Sequence, residues 1–279
     1  MLKLTDGIYY DNLKISINGK QQNIHITVYE QGINPNLTLL ISKVSEAVLP
    51  NFENNHIGEG ATMDSFIEKQ KGVRFIINGG FSHYRKNFYD WHHQNFNIGD
   101  PVGLVKIRHH FFEDYVELSH YGFLIQKNKG AKWEIVTQDK ITKEEKYILG
   151  CTPLLILNNE KLKITDELMS PMKEGTINPP SILGHGLQNH PRTAVGIKEN
   201  QLYFITIEGN VPNYVGCTLT ELQEIGILLN LDSLLNLDGG GSSQFRLNTN
   251  QKILKNNIAY EDESRILGHV LALFDESIK

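Results

Sequence analysis

Cysteine is almost absent from the sequence: Cys151 and Cys217 are the only two among 279 residues. Two isolated cysteines provide neither a disulfide framework nor the paired spacing of a zinc site. We therefore expect both to be buried free thiols. Long apolar runs are also lacking, and no stretch is long enough to span a bilayer as a helix.

An excess of basic charge is missing as well. Lys and Arg number 27 against 32 Asp and Glu, which gives a net charge of −5. This balance gives no electrostatic reason to expect a nucleic acid or an anionic membrane as partner. The start, Met1 to Gly7, lacks the basic and then apolar pattern of a signal peptide, which predicts a cytoplasmic protein unless a leader has been removed.

The patterns that are present predict an α+β protein. Alternating apolar residues and the Asn18-Gly19 turn signal predict strands and a hairpin near the N-terminus. Helical spacing predicts helices over 60–71 and after Thr218, which forms a capping box with Glu221. No repeat or linker is visible, so we expect one domain over 1–279, with N-terminal strands and a helix in 1–69 and a motif-bearing core in 70–279. Its core is predicted to be a large mixed, mostly antiparallel β-sheet flanked by a few helices.

The segment 235–243, Leu-Asn-Leu-Asp-Gly-Gly-Gly-Ser-Ser, is the most unusual of the chain. An apolar strand ends in Asp238, and small residues that leave the main chain uncovered follow it. Glycine accepts backbone angles that are closed to other residues, and successive N–H groups can then point at a bound oxygen or anion. The alternative is a flexible Gly-Ser turn in which Asp238 is a local turn former.

Two further clusters repeat this layout of a strand next to polar and small residues. Asn78 ends an apolar strand before Gly79 and Gly80, where an amide can face a ligand. Arg192, in His-Pro-Arg-Thr-Ala-Val-Gly, lies at the mouth of the next candidate strand, where a guanidinium can grip a phosphate or carboxylate through two parallel bonds. A plain turn and a structural Arg paired with a carboxylate are the respective alternatives. Glu208 ends the partner strand.

Residues 82–99 form an irregular segment rich in aromatic residues and histidine, including His83, Trp91, His92 and His93. Flat aromatic rings suit stacking on a sugar, or they pin the loop itself. The histidines raise a metal hypothesis, but no tight ligand spacing such as His-Glu-x-x-His is present. Residues 170–186, rich in Pro and Gly, predict a second long loop, a feature that is more often functional than idle.

Taken in order, Asn-Gly-Gly-Phe, His-Pro-Arg-Thr-Ala-Val-Gly, a Thr-capped helix and Asn-Leu-Asp-Gly-Gly-Gly-Ser-Ser resemble the phosphodiester glycosidase family. The resemblance runs from about residue 70 to the C-terminus, and the last of these motifs is the most specific. It implies an α+β fold with a large mixed sheet and hydrolysis at a sugar C1–O–phosphate linkage. The chain departs from the family at Ser82, where a second Phe is common, and at Asn210, where Asp-Gly-Arg often stands in place of Glu208-Gly209-Asn210.

For such hydrolysis we expect Asp238 as nucleophile or base, Glu208 as the other carboxylate and Arg192 as the group that neutralises phosphate. The expected partner is a small sugar phosphodiester or glycan, with no cofactor and no metal. The candidate substrate-binding residues are Asn78, Gly79, Gly80, His190, Thr193, Asn236, Gly239, Gly240, Gly241, Ser242, Ser243 and Arg265. Two alternatives remain, a non-catalytic carbohydrate- or sugar-phosphate-binding protein of the same fold and a metallohydrolase that uses the histidine loop.

Overall fold

The structure, a computed structural model, describes most but not all of the chain. The described residues are 1–32, 36–41, 62–69, 72–82, 101–108, 110–113, 121–127, 132–142, 144–164, 186–248, 253–255 and 267–274. The predicted aromatic and histidine loop, apart from Ser82, lies outside these ranges, as does the second loop apart from Gly186.

Strands dominate the described residues. In chain order they are β1 Leu2–Thr5, β2 Ile8–Ile17, β3 Lys20–Glu30, β4 Asn36–Ile41, β5 Val73–Asn78, β6 Leu104–Ile107, β7 His110–Glu113, β8 Gly122–Lys127, β9 Trp133–Val136, β10 Glu145–Cys151, β11 Leu154–Leu157, β12 Glu160–Lys161, β13 Arg192–Lys198, β14 Gln201–Ile207, β15 Ser233–Asn236, β16 Phe245–Asn248, β17 Ile253–Lys255 and β18 His269–Phe274. The helices are α1 Met63–Lys69 and α2 Leu219–Leu228, with short 3-10 turns at Gln138–Lys140 and Gly240–Ser242.

These strands form three sheets. The largest has eight strands in the order β1-β2-β3-β14-β13-β15-β11-β12. Two five-stranded sheets have the orders β7-β6-β10-β8-β9 and β17-β16-β5-β18-β4. Every strand pair within the described ranges is antiparallel. The predicted α+β class with a mostly antiparallel core is confirmed, and the strands are divided among three sheets.

Local sequence signals explain several of these elements. Asn18 and Gly19 have φ of +48° and +76°, the left-handed pair that a tight hairpin requires, and they join Ile17 directly to Lys20. Helix α2 begins at the predicted capping box: Thr218 Oγ1 accepts from the Glu221 amide at 3.1 Å, and the Thr218 amide donates to Glu221 Oε2 at 2.9 Å. Among the described residues, no helix combines the length and apolar character needed to cross a membrane.

Both faces of the eight-stranded sheet are covered, because successive residues of its central strands are apolar and their side chains point alternately to the two faces. Ala194 and Leu234 belong to the cluster that contains the inner side chains of α2, whereas Val195 and Leu235 belong to the cluster that reaches the two five-stranded sheets. This second cluster also contains Ile8 from β2. The N-terminal strands therefore share a core with the motif-bearing part of the chain.

Candidate functional site

Asn78 is the hydrogen-bonding centre at which three distant segments meet. Its side chain is 1% exposed, and its Nδ2 donates to the main-chain oxygens of Asp238 at 2.8 Å and of Gly79 at 3.1 Å. Its Oδ1 accepts from Thr193 Oγ1 at 2.8 Å and from the Gln244 amide at 3.1 Å. We call the segments that meet here, residues 78–80, 191–193 and 238–244, the strand-end site.

Asp238 lies just past β15, where the backbone of the glycine segment is held by its neighbours. Its amide donates to Gly79 O at 3.1 Å, and its Oδ1 accepts from the Gly239 amide at 2.9 Å. The Gly240 amide donates to Pro191 O at 2.9 Å. Gly240 has φ of +59°, and a Cβ added there would meet nothing within 4 Å, so the chain borders open space at this point. Of the residues that follow, Gly241, Ser242 and Ser243 are buried.

Arg192 lies beside this segment. The β13–β15 register pairs Ala194 with Asn236, and its continuation places Arg192 opposite Asp238. A Cβ built on Gly239 would lie 3.8 Å from Arg192 Cδ and 3.9 Å from its Nη1. The side chain is 6% exposed, and burial lowers the pKa of the guanidinium. Its Nε and Nη2 each donate at 3.0 Å to a main-chain carbonyl, Nε to Cys217 and Nη2 to Gln188, which orients the third nitrogen.

Three other candidate binding residues have structural partners in or near this site. The Thr193 hydroxyl is committed to Asn78. Asn236 is 3% exposed and its Nδ2 donates to Thr152 O at 2.8 Å, while its buried Oδ1 has no hydrogen-bond partner among the described residues. His190 is half-buried, pairs through its main chain with Cys217, and contacts Gln188 Oε1 through Nε2 at 3.0 Å.

Glu208 is directed to the other face of the sheet. Arg192 pairs with Ile207 in the β13–β14 register, so the next residue alternates to the opposite face. The Glu208 side chain is 2% exposed, and its Oε1 lies 2.8 Å from His25 Nε2. The sequence pattern places Arg192 and Glu208 at the same strand ends, but it does not contain the alternation that separates their side chains.

His25, Tyr10 and Asn12 were not identified from the sequence. His25 Nδ1 lies 2.8 Å from the Tyr10 hydroxyl and 3.2 Å from Asn12 Nδ2. The ring centroid of His25 is 5.0 Å from that of Phe245, which follows the strand-end site directly. The usable signal was the alternation Ile24-His25-Ile26, in which a polar side chain takes a position on the inner face of a strand.

His269 was also missed, because it lies within an apolar strand sequence. Its side chain is 1% exposed, and burial lowers its pKa to about 3, so the ring is neutral. Its Nε2 accepts from the Gly80 amide at 2.9 Å, which leaves Nδ1 as the protonated nitrogen that donates to Ser82 Oγ at 3.2 Å. A Cβ on Gly79 would lie 2.4 Å from His269 Cδ2, so the glycine allows the histidine to lie under this backbone.

Both cysteines are buried free thiols, as the sequence predicts. Cys151 borders the site: a Cβ on Gly80 would lie 3.3 Å from its Sγ. Burial raises the pKa of the Cys151 thiol, and the nearby charge of Asp238 raises it further. Burial likewise raises the pKa of Cys217 to about 12, so both side chains are protonated and unreactive at neutral pH.

The candidate Arg265 lies outside the described residues. Within the part of the chain that the structure describes, no three His, Cys, Asp or Glu side chains are grouped so that they could hold a metal ion. The histidine-rich segment 83–99 lies outside that part of the chain.

The family model for phosphodiester glycosidases matches residues 71–274, most of the chain. The chain belongs to the phosphodiester glycosidase family. The matched range includes all three segments of the strand-end site and begins after β1 to β4 and α1. Tyr10, Asn12 and His25 therefore come from outside the range that defines the family. No curated protein matches the sequence.

Solved structures share the fold of this phosphodiester glycosidase family member at low sequence identity. The catalytic domain of zebrafish N-acetylglucosamine-1-phosphodiester alpha-N-acetylglucosaminidase, auto-inhibited by its pro-peptide, is similar with a TM-score of 0.61 and 17% identity, over 96% of this chain and 82% of that one. A hypothetical protein from Synechocystis has a TM-score of 0.58 and 15% identity over 98% of this chain, which spans only 63% of that protein. A putative exported protein from Burkholderia pseudomallei has a TM-score of 0.59 and 12% identity, over 91% of this chain and 74% of that one.

Proposed function

We propose that this protein hydrolyses the bond between the anomeric carbon of a sugar and an oxygen of a phosphodiester. The observation that carries the proposal is the position of the buried Arg192 side chain, which lies beside Gly239 and opposite Asp238 in the continued β13–β15 pairing, at the strand ends of a phosphodiester glycosidase fold. Family membership supports the reaction class. The zebrafish relative is named for the same kind of linkage.

The electrostatics of the strand-end site favour an anionic group. Arg192 is a buried cation whose pKa is lowered by burial, so an arriving phosphate stabilises its charged form. Two of its nitrogens are held by carbonyl oxygens, which fixes the direction of the third. A Cβ on Gly239 would lie 3.9 Å from Arg192 Nη1, so this glycine places no side chain against it, and Gly240 borders open space.

Asp238 is the carboxylate that acts at the sugar. Cleavage breaks the bond between C1 and the phosphate oxygen. The phosphate monoester leaves with the bonding electrons, and the Arg192 guanidinium neutralises its negative charge. The carboxylate of Asp238 either accepts a proton from the water that attacks C1, or attacks C1 itself and is then displaced by water. In both cases the hydroxyl of the water ends on C1 and its other proton is released to solvent. A phosphate carries negative charge well, so little protonation of the leaving group is needed. Asn78 holds the Asp238 main chain in place for this role.

The test is release of free sugar from a panel of sugar 1-phosphodiesters by the wild type and by Asp238→Asn, which keeps the shape and removes the charge. We expect the rate to fall by about 100-fold or more. Asp232→Asn is the matched control, because Asp232 directly precedes β15 at its opposite end and its Oδ2 accepts a hydrogen bond from the Glu199 amide at 2.7 Å. Full activity in Asp238→Asn would refute the role of Asp238, and unchanged activity after chelation would argue against the metallohydrolase.

A sugar-phosphate-binding protein without turnover is the second candidate. Its support is Asn210, an exposed residue that stands where the family often has Arg. Binding of a sugar phosphate measured by calorimetry, with no sugar released from any member of the panel, would favour this function over hydrolysis.

A further inference from the structure

His269 is a buried histidine that contacts the strand-end site and takes no part in the chemistry proposed above. It is the first residue of β18, and the continuation of the β5–β18 pairing, which joins Val270 to Asn78, places it opposite Gly79. Its main-chain oxygen accepts from the Gly79 amide at 3.0 Å, and its Nε2 accepts from the Gly80 amide at 2.9 Å. His269 therefore binds two successive amides of the segment that follows Asn78.

The Gly79 carbonyl and the Gly80 amide are the two ends of one peptide group. On the carbonyl side, Gly79 O accepts from the Asp238 amide and from Asn78 Nδ2, both at 3.1 Å. In a planar trans peptide the N–H and the C=O point in opposite directions, so the orientation that presents the N–H to His269 also presents the oxygen to Asp238. The ring of His269 and the backbone of Asp238 are therefore linked through a single rigid group.

Glycine on both sides leaves this peptide group free to rotate unless its neighbours hold it. Glycine adopts positive and negative φ about equally well, so a rotation that exchanges the directions of N–H and C=O meets little steric resistance within the chain. The close contact of the ring excludes a side chain at Gly79, where a Cβ would lie 2.4 Å from His269 Cδ2. An unprotonated ring nitrogen accepts from the N–H and has no proton to offer the C=O, so it favours one of the two orientations.

Ser82 stabilises the tautomer of His269 that this contact requires. The Gly80 amide can only donate, so Nε2 is unprotonated and the proton of the neutral ring is on Nδ1. This nitrogen donates to Ser82 Oγ at 3.2 Å. Ser82 is 7% exposed, and its main chain pairs with Pro101. A phenylalanine, which is common at this position in the family, could not accept this hydrogen bond.

We propose that the ring of His269 positions Asp238 by holding the Gly79–Gly80 peptide group in the orientation that binds the Asp238 amide. The inference rests on the proposed function, because it concerns the placement of the Asp238 carboxylate at the sugar. Asp238 Oδ1 accepts from the Gly239 amide of the same segment, so a shift of this backbone also shifts the carboxylate. His269 is 1% exposed, so it acts through the peptide group and not by contact with the substrate.

The first test compares His269→Gln with His269→Asn. The side-chain oxygen of glutamine can take the place of Nε2 and accept from the Gly80 amide, whereas asparagine is one methylene shorter and cannot reach it. Both substitutions remove the ring and supply a neutral amide, so a role in packing alone predicts losses in both. We expect kcat on a sugar 1-phosphodiester to stay within about threefold of the wild type in His269→Gln and to fall about 100-fold in His269→Asn, since a displacement of about 1 Å costs on this scale. KM should change little in either, because Arg192 is held by two other carbonyls.

Ser82→Ala tests the acceptor on the other side of the ring. We expect kcat to fall about fivefold, the factor that corresponds to one net hydrogen bond. Ser233→Ala is the matched control and should leave kcat unchanged, because this buried serine lies at the far end of β15 and its hydroxyl accepts from the Asn158 amide at 3.4 Å. Equal kcat in Ser82→Ala and Ser233→Ala would overturn the part assigned to Ser82. Equal kcat in His269→Gln and His269→Asn, with Asp238→Asn inactive, would overturn the positioning role and leave the proposed function standing.

The second test does not depend on hydrolysis. NMR of protein labelled at the ring nitrogens of its 11 histidines shows which nitrogen carries the proton, and the signal lost in His269→Gln assigns His269. Because burial lowers its pKa to about 3, we expect a neutral ring at neutral pH, with the proton on Nδ1. A proton on Nε2 would overturn the inference. The proton on Nδ1 in a protein that releases no sugar from the panel would support the hold on the peptide group and refute the proposed hydrolysis.

Discussion

Replacing Asn78 with Ala should lower the free energy of unfolding strongly, although the protein should still form its three sheets. The side chain makes four hydrogen bonds of 3.1 Å or shorter and is 1% exposed. Its removal leaves two carbonyl oxygens, one hydroxyl and one amide without this partner in a buried region. The Gly79 oxygen keeps the Asp238 amide as a donor, so three groups are left unsatisfied. At about 1 kcal/mol for each, the lower limit for a buried group left unsatisfied, the free energy of unfolding should fall by roughly 3 kcal/mol.

Urea denaturation measures this change as a shift of the midpoint at constant slope. Asn236→Ala is the matched control, because it is the same residue type at another strand end, 3% exposed, and makes one hydrogen bond to Thr152 O. Its expected cost is about 1 kcal/mol. A loss below about 1 kcal/mol in Asn78→Ala, or equal losses in the two variants, would contradict the central position of Asn78.

A double-mutant cycle separates the hydrogen bond from Thr193 from the other three. Thr193→Val alone should cost about 1 kcal/mol, because it removes one donor and leaves the Gln244 amide on Asn78 Oδ1. In the Asn78→Ala background the same change should cost almost nothing, since the hydroxyl has already lost this acceptor. Losses that add to within about 0.5 kcal/mol would show that the two side chains do not interact.

Two further predictions concern Gly216, which precedes α2, and Glu221 in the first turn of that helix. Gly216 has φ of +84°, and Gly216→Ala would place a Cβ 2.3 Å from the carbonyl carbon of His190. Gly19→Ala is the control, because Gly19 has a similar φ of +76° but a Cβ there would meet nothing within 4 Å. The urea midpoint of unfolding should therefore fall far more for Gly216→Ala than for Gly19→Ala, and equal shifts would exclude the clash with His190 as the cause. Burial tends to raise the pKa of Glu221, but hydrogen bonds from the Thr218 amide and Lys20 outweigh it and lower the pKa. The stabilisation from Glu221 is therefore present above the pKa it has in the unfolded state and is lost as the pH falls through its pKa in the folded state. Between about pH 7 and about pH 3, the free energy of unfolding measured with urea should therefore fall more for the wild type than for Glu221→Gln. A loss of the same size in both would refute this linkage.

Local signals in the sequence were sufficient for the elements that they specify directly. The Asn18-Gly19 turn supplies two residues that accept positive φ, and Thr218 with Glu221 supplies both halves of a capping box, so neighbouring residues alone determine these structures. The polar strand ends at Asn78 and Asn236 were visible for the same reason. The contacts between the resulting segments involve residues far apart in the chain, and no local pattern contains them.

Strand register was the main information that the sequence lacked. A shift of one residue reverses the face of every side chain in a strand, and many registers satisfy the same apolar pattern when both faces of the sheet are buried. The pairing of Arg192 with Ile207 is what sends Glu208 to the face occupied by His25. His269 was hidden for a related reason, since it is the buried first residue of an apolar strand and its neutral ring replaces a packing side chain.

The two faces of the large sheet constrain how a ligand could reach both sets of groups. Arg192 and the continuation of its pairing at Asp238 lie on the face that packs on α2, whereas Glu208 and His25 lie on the face shared with Thr193. Side chains on opposite faces of a continuous sheet are separated by its backbone, so a ligand lying over either face contacts one set. The strands end near Asp238, Arg192 and Glu208, and a ligand can touch both sets there by lying across these ends.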